Sequence, residues 1–122
     1  MESTNLNYKL LLDHFIANSI FTEKQTSIIY NKMLNAKPAD YMTSGAYYRQ
    51  LGQCRNKTTK VVYTLLLLHL LNAIDTETFS VLRELNNQLN VMLNKRSDEI
   101  HTAVLNDVTL LIDNVIKKLI LL

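Results

Sequence analysis

Apolar residues recur along this chain at helical rather than alternating spacing. Leu6, Leu10, Leu11, Phe15 and Ile16 share one side of a helix predicted from about Asn5 to Ser19. A second helix begins at Thr22, with Ile28, Ile29, Met33 and Leu34 facing inward. Thr22 and Gln25 have capping-box spacing, in which the threonine oxygen accepts from the backbone three residues on and the glutamine reaches back. Phe21, just before the cap, is placed as a hydrophobic staple against Thr26 or its neighbours. This helix is expected to end near Asn35 to Lys37, because Pro38 disfavours helix in the residue before it. Thr43, Ser44 and Gly45 read as a turn or a fresh cap.

A long helical stretch follows from about Ser44 to Ala73. Gly52 and the polar run Arg55–Asn56–Lys57 leave open whether it is one helix or two, since an interior glycine costs about 1 kcal/mol relative to alanine. Asn72, then Asp75 and Thr76, mark a stop and a new N-cap. The next helix is predicted from about Thr78 to Asn94, with Leu82, Leu85, Leu89 and Met92 on one side. Ser97 or Asp98 caps a last helix that runs to the terminus. There Leu105, Val108, Ile112, Val115, Leu119 and Leu122 are spaced 3, 4, 3, 4, 3, an a/d seam. Val104, Leu111, Ile116 and Ile120 lie off that seam.

With 122 residues, 48% of them hydrophobic, the chain has the size of one domain with a real core. Glycine occurs twice and proline once, too few for the turns of a sheet protein, so an all-α fold is expected. Cys54 is the only cysteine, which excludes an internal disulfide and a thiolate metal cluster within one chain. A reducing, cytoplasmic location fits. The start, MESTNLNYKLLLDHF, lacks a basic leader before its apolar run, so no secretory leader is expected. The longest apolar stretch, Val61 to Leu71, is shorter than the ~20 residues that span a bilayer, so no membrane partner is expected.

Candidate chemistry is sparse. His14, His69 and His101 have no second histidine or cysteine at metal-ligand spacing. Cys54 and Ser44 lack a local base, and neither Asp98–Glu99 nor Asp107–Asp113 departs from an ordinary surface pattern. Gly45 and Gly52 do not make a phosphate-cradling loop. No catalytic residue, metal or cofactor is therefore expected.

Charge placement is more informative than the net charge of +2. Between Asp40 and Asp75 there is no acid, yet Arg49, Arg55, Lys57 and Lys60 fall there. Gln50, Gln53, Asn56 and Thr58 are interspersed. Phosphates attract the cations, and Arg, Gln, Asn and Thr can meet base edges. Tyr47 and Tyr48 are adjacent, so about 100° separates them on a helix: one can enter the core while the other contacts phosphate.

The segment FTEKQTSIIYNKML resembles the opening of the fourth region of bacterial sigma factors. GAYYRQLGQCRNKTTKVVYTLLLLHLLNAID resembles the helix-turn-helix portion of small archaeal regulators. That resemblance covers about Phe21 to Asp75. It implies a positioning helix over 44–54, a turn at Arg55–Lys57 and a recognition helix from Thr58. Arg55–Asn56–Lys57 stands where such regulators usually carry a glycine, and no strand pair of a winged domain follows Asp75.

The resulting expectation is a single all-α domain over residues 1–122. It has a helix-turn-helix-like core at about 21–75 and C-terminal helices at about 78–122 that form a hairpin or a dimerisation helix. The expected function is a DNA-binding transcriptional regulator that contacts double-stranded DNA through Tyr47, Tyr48, Arg49, Gln50, Gln53, Arg55, Asn56, Lys57, Thr58 and Lys60. A homodimer is expected through Leu105, Val108, Ile112, Val115 and Leu119. The rival expectation is a helical protein-interaction adaptor that uses its C-terminal helices and no nucleic acid.

Overall fold

A computed structural model describes residues 2–34, 42–93 and 102–122. The fold is all-α: the helices are α1 (Glu2–Ala17), α2 (Glu23–Met33), α3 (Ser44–Leu70), α4 (Thr78–Leu93) and α5 (Thr102–Leu119). Among the described residues the only β pairing is an isolated antiparallel bridge, Ile74 with Ile120. α2 ends at Met33 with Leu34 as its C-cap, just short of the expected Asn35 to Lys37; those residues and the caps Ser97 and Asp98 lie outside the described residues.

Local signals set most of the boundaries. Thr22 caps α2 as its spacing predicts: its hydroxyl accepts from the Gln25 N–H at 3.1 Å, and Gln25 Oε1 accepts from the Thr22 N–H at 3.3 Å. Thr43 caps α3, its hydroxyl accepting from the Ala46 N–H at 3.1 Å. At the other end of α3, Asn72 takes the left-handed conformation, with φ 57. The Ala73 N–H then reaches back to the Leu68 carbonyl and the Asn72 N–H to that of His69. This is a Schellman stop with asparagine in the usual glycine position. Asp75 opens α4, its carboxylate accepting from the Glu77 N–H at 2.8 Å.

Two expectations are corrected. First, α3 is one helix from Ser44 to Leu70, so the turn implied at Arg55–Lys57 is not formed. A break there would leave a set of unpaired N–H and C=O groups at each new helix end, which outweighs the cost of one glycine. Second, α5 does not run to the terminus. The chain leaves the helix after Leu119 and pairs with residues 73–75: Asp75 N–H donates to the Leu119 carbonyl and Leu121 N–H to the Ala73 carbonyl, both at 2.8 Å.

The chain divides into two units, residues 15–65 and residues 1–14 with 66–122, and the division falls within α3. In the first unit Ile28, Tyr47 and Leu51 form a buried cluster with Met42 packed against it. Gln25 and Cys54 are buried there too. In the second unit the buried residues are Leu11, Ala73, Ile74, Thr78, Leu105, Ile112 and Leu119. The His14 imidazole and the Asp113 carboxylate lie 2.9 Å apart, tying α1 to α5.

The seam on α5 is thus partly core. Leu105, Ile112 and Leu119 are buried within the chain, and Val108 and Val115 are half-buried. Leu105, Ile112 and Leu119, enclosed by their own chain, cannot also form the face of a dimer, which corrects those three positions of the expected interface. The off-seam residues Val104, Leu111, Ile116 and Ile120 are exposed.

Candidate nucleic-acid interface

The unbroken course of α3 orders its polar residues into one line. Arg49, Gln53, Asn56 and Lys60 stand at i, i+4, i+7 and i+11. At 100° per residue they fall within about 60° of one another. All four are exposed. Tyr47, Leu51 and Cys54, all buried, point the opposite way. The stripe is therefore the side of α3 turned directly away from its core. Tyr63 continues the same line and is exposed.

No acidic residue stands in the first turn of α3. The unpaired N–H groups of that turn add positive potential near Arg49, at the start of the stripe.

The tyrosine pair splits as its spacing predicts. Tyr47 is 5% exposed and Tyr48 64%, with their rings in a T-shaped contact at 5.2 Å. Tyr47 is therefore corrected from contact residue to core. Tyr48 lies on one flank of the stripe with Arg55, which is also exposed. Gln50 lies on the other flank and is half-buried. Thr58 is exposed, and its hydroxyl donates back to the Cys54 carbonyl at 2.8 Å.

Lys57 departs from the expected set. Its ammonium donates to the Ile20 carbonyl at 2.9 Å and to Gln25 Oε1 at 2.7 Å, and it stands 5.9 Å from the centre of the Phe21 ring. Its ammonium holds the α1–α2 connection against α3. Phe21 and Gln25 accordingly gain roles that the local sequence does not reveal: Phe21 receives a cation, and Gln25, besides its expected capping of α2, anchors Lys57. A lysine on a helix that contains no acid gives no sequence cue that its partner is a backbone carbonyl. Replacing Lys57 with methionine removes both hydrogen bonds and leaves the buried Gln25 oxygen short of one partner. The expected loss is about 1–3 kcal/mol of stability, read by urea unfolding.

Cys54 is not poised for chemistry. Burial pushes its thiol pKa up, only partly opposed by the nearby Lys57 ammonium. The buried Sγ faces the Gln25 carbonyl at 3.8 Å, a weak contact at most. A protonated, enclosed thiol is a poor nucleophile. Among the described residues no group of three or more His, Cys, Asp or Glu is placed to hold a metal ion. No helix among them is long and apolar enough to cross a membrane.

Comparison with protein families, curated proteins and solved structures finds no match for this chain.

Proposed function

We propose that this chain is a DNA-binding regulator, a binding protein rather than an enzyme, and that α3 is its reading element. The observation that carries this is the stripe Arg49, Gln53, Asn56 and Lys60 on the outward side of an acid-free helix. Arg and Lys can pair with guanine O6 and N7 or with phosphate, and Gln and Asn with adenine N6 and N7. A major groove about 12 Å wide admits such a helix edge-on. This keeps the regulatory role implied by the resemblance but replaces its two short helices and tight turn with one continuous reading helix. The role fits a cytoplasmic protein whose one cysteine stays reduced.

The direct test is fluorescence anisotropy on random-sequence duplexes across a salt series. Binding should weaken steeply with salt, as counterion release demands. Failure to bind any duplex at low salt would remove the reading.

The C-terminal part of α3 supports a second element of the proposal, a homodimer. Leu66, Leu67, Leu70 and Leu71 are each more than half exposed. No charged residue falls between Lys60 and Asp75. Such a band is unusual on a monomer, and an uncharged face selects for a partner of the same kind. A two-fold axis here would pair like with like and give two stripes for two half-sites. Changing Leu66 and Leu70 together to glutamine is expected to convert a dimer to a monomer in sedimentation without loss of helicity. If the unaltered chain sediments as a monomer at micromolar concentration, the dimer fails. The same band would then favour the rival adaptor reading, with another protein seated on it.

A further inference from the structure

The face of α3 next to the stripe borders a groove of different character. Ile29 and Met33 from α2, with Leu51 and Cys54 from α3, form its apolar lining. Its volume is about 570 Å³, within the ~300–1,000 Å³ usual for small-ligand sites. Among the described residues, the charged ones that line it are Lys32 and Arg55. Both are exposed, and neither is paired with an acid among the described residues. Leu51 and Cys54 are at most 5% exposed and make the floor. The Thr58 and Thr59 hydroxyls at the edge already donate to the Cys54 and Arg55 carbonyls. They retain only acceptor capacity, so the donors left for a ligand head group are the two cations.

We propose that this groove between α2 and α3 binds a small amphipathic carboxylate of the medium-chain fatty-acid kind. The alkyl tail lies on Leu51, Cys54, Ile29 and Met33, and the carboxylate accepts from Arg55 and Lys32. Charge complementarity selects this occupant. An uncharged apolar molecule would leave both cations unused, and a compact anion would leave the apolar floor wet. The neutral thiol of Cys54 keeps that floor free of charge. A guanidinium offers a carboxylate two parallel hydrogen bonds, which favours Arg55 as the principal contact.

The test is calorimetric titration of the full chain, without DNA, against decanoate, decanol and acetate. Because no duplex is present, its outcome is independent of the DNA reading. Decanoate should bind saturably with one molecule per chain. Decanol should bind about tenfold more weakly or less, since it forgoes the charged hydrogen bonds. Acetate should show no saturable binding. The exposed positions allow Arg55→Gln and Lys32→Gln without disturbing the core. The double variant should lose about tenfold or more in decanoate affinity while its weak decanol binding is unchanged. Equal affinity for decanoate and decanol overturns the proposal. So does undiminished decanoate binding in the double variant, or the absence of saturable decanoate binding.

Discussion

Replacing Arg49, Gln53, Asn56 and Lys60 together with alanine is expected to reduce duplex affinity by a hundredfold or more while leaving the fold intact. All four side chains are exposed and none makes a hydrogen bond or ion pair within the described structure, so truncation has little to disturb. The loss divides into two parts that can be read separately. Removing Arg49 and Lys60 takes away cations, and each phosphate no longer neutralised should flatten the log–log salt slope by about 0.9. Removing Gln53 and Asn56 should leave that slope alone and instead erode discrimination between sequences, at about 1–3 kcal/mol for each base edge no longer read. Lys57→Met is the comparison, since its ammonium is held by the Ile20 carbonyl and Gln25 rather than turned along the stripe. If the fourfold variant binds as the parent does and circular dichroism shows an intact fold, α3 is not the reading element.

Ile112→Ala is expected to destabilise the chain by about 2–5 kcal/mol, the range for emptying a well-packed core position. Ile112 is 2% exposed, midway along the inward line Leu105–Ile112–Leu119. Leu111 is its neighbour in sequence but 57% exposed, and Leu111→Ala should change stability by no more than about 0.5 kcal/mol. The contrast separates the two possible uses of the seam. If α5 were a dimer helix with a solvent-facing seam, Ile112→Ala would weaken assembly and depend on protein concentration. If the seam is internal, as the burial requires, the loss is independent of concentration. Chemical denaturation at two protein concentrations distinguishes these outcomes.

The parts of the fold that rest on neighbours in sequence were legible. The Thr22–Gln25 capping box, the stop at Asn72 and the start of α4 after Asp75 all depend on groups a few residues apart. The division between Tyr47 and Tyr48 was legible as well, because helical geometry alone sends them to different sides. Three features were not. The continuity of α3 through Gly52 was undecided, since one glycine neither requires nor forbids a break. The seam on α5 was visible as a pattern, but an a/d pattern says only that a face is covered, not by which chain. The departure of Ile120 and Leu121 from α5 had no signal at all, because backbone pairing with residues 73–75 overrides local propensity.

For the candidate site, the expected residues all lie on α3, but the structure does not keep them on one face. Four of the ten expected contacts, Arg49, Gln53, Asn56 and Lys60, form the outward stripe. Lys57 was misread because its partner, the Ile20 carbonyl, lies 37 residues away and has no side-chain signature. The groove that borders Arg55 was also invisible, since its lining alternates between two helices whose packing no spacing rule supplies.

The pairing of His14 with Asp113, 99 residues apart, also dictates the order in which the chain can acquire its structure. One unit is a single uninterrupted stretch, 15–65, and its contacts close short loops; the other joins residues 1–14 to 66–122 and can close only once that stretch has been made. Loop-closure entropy rises with chain separation, and non-local contacts form late. As the protein emerges from the ribosome, the stretch carrying the basic stripe can fold while α5 is still unmade, whereas α1 waits for its counterpart. Until then Leu11, Ala73 and Ile74, all buried in the finished chain, are uncovered together. The nascent chain is therefore most prone to association in the interval between synthesis of Leu71 and of Leu119, a window that faster translation of the C-terminal third would shorten.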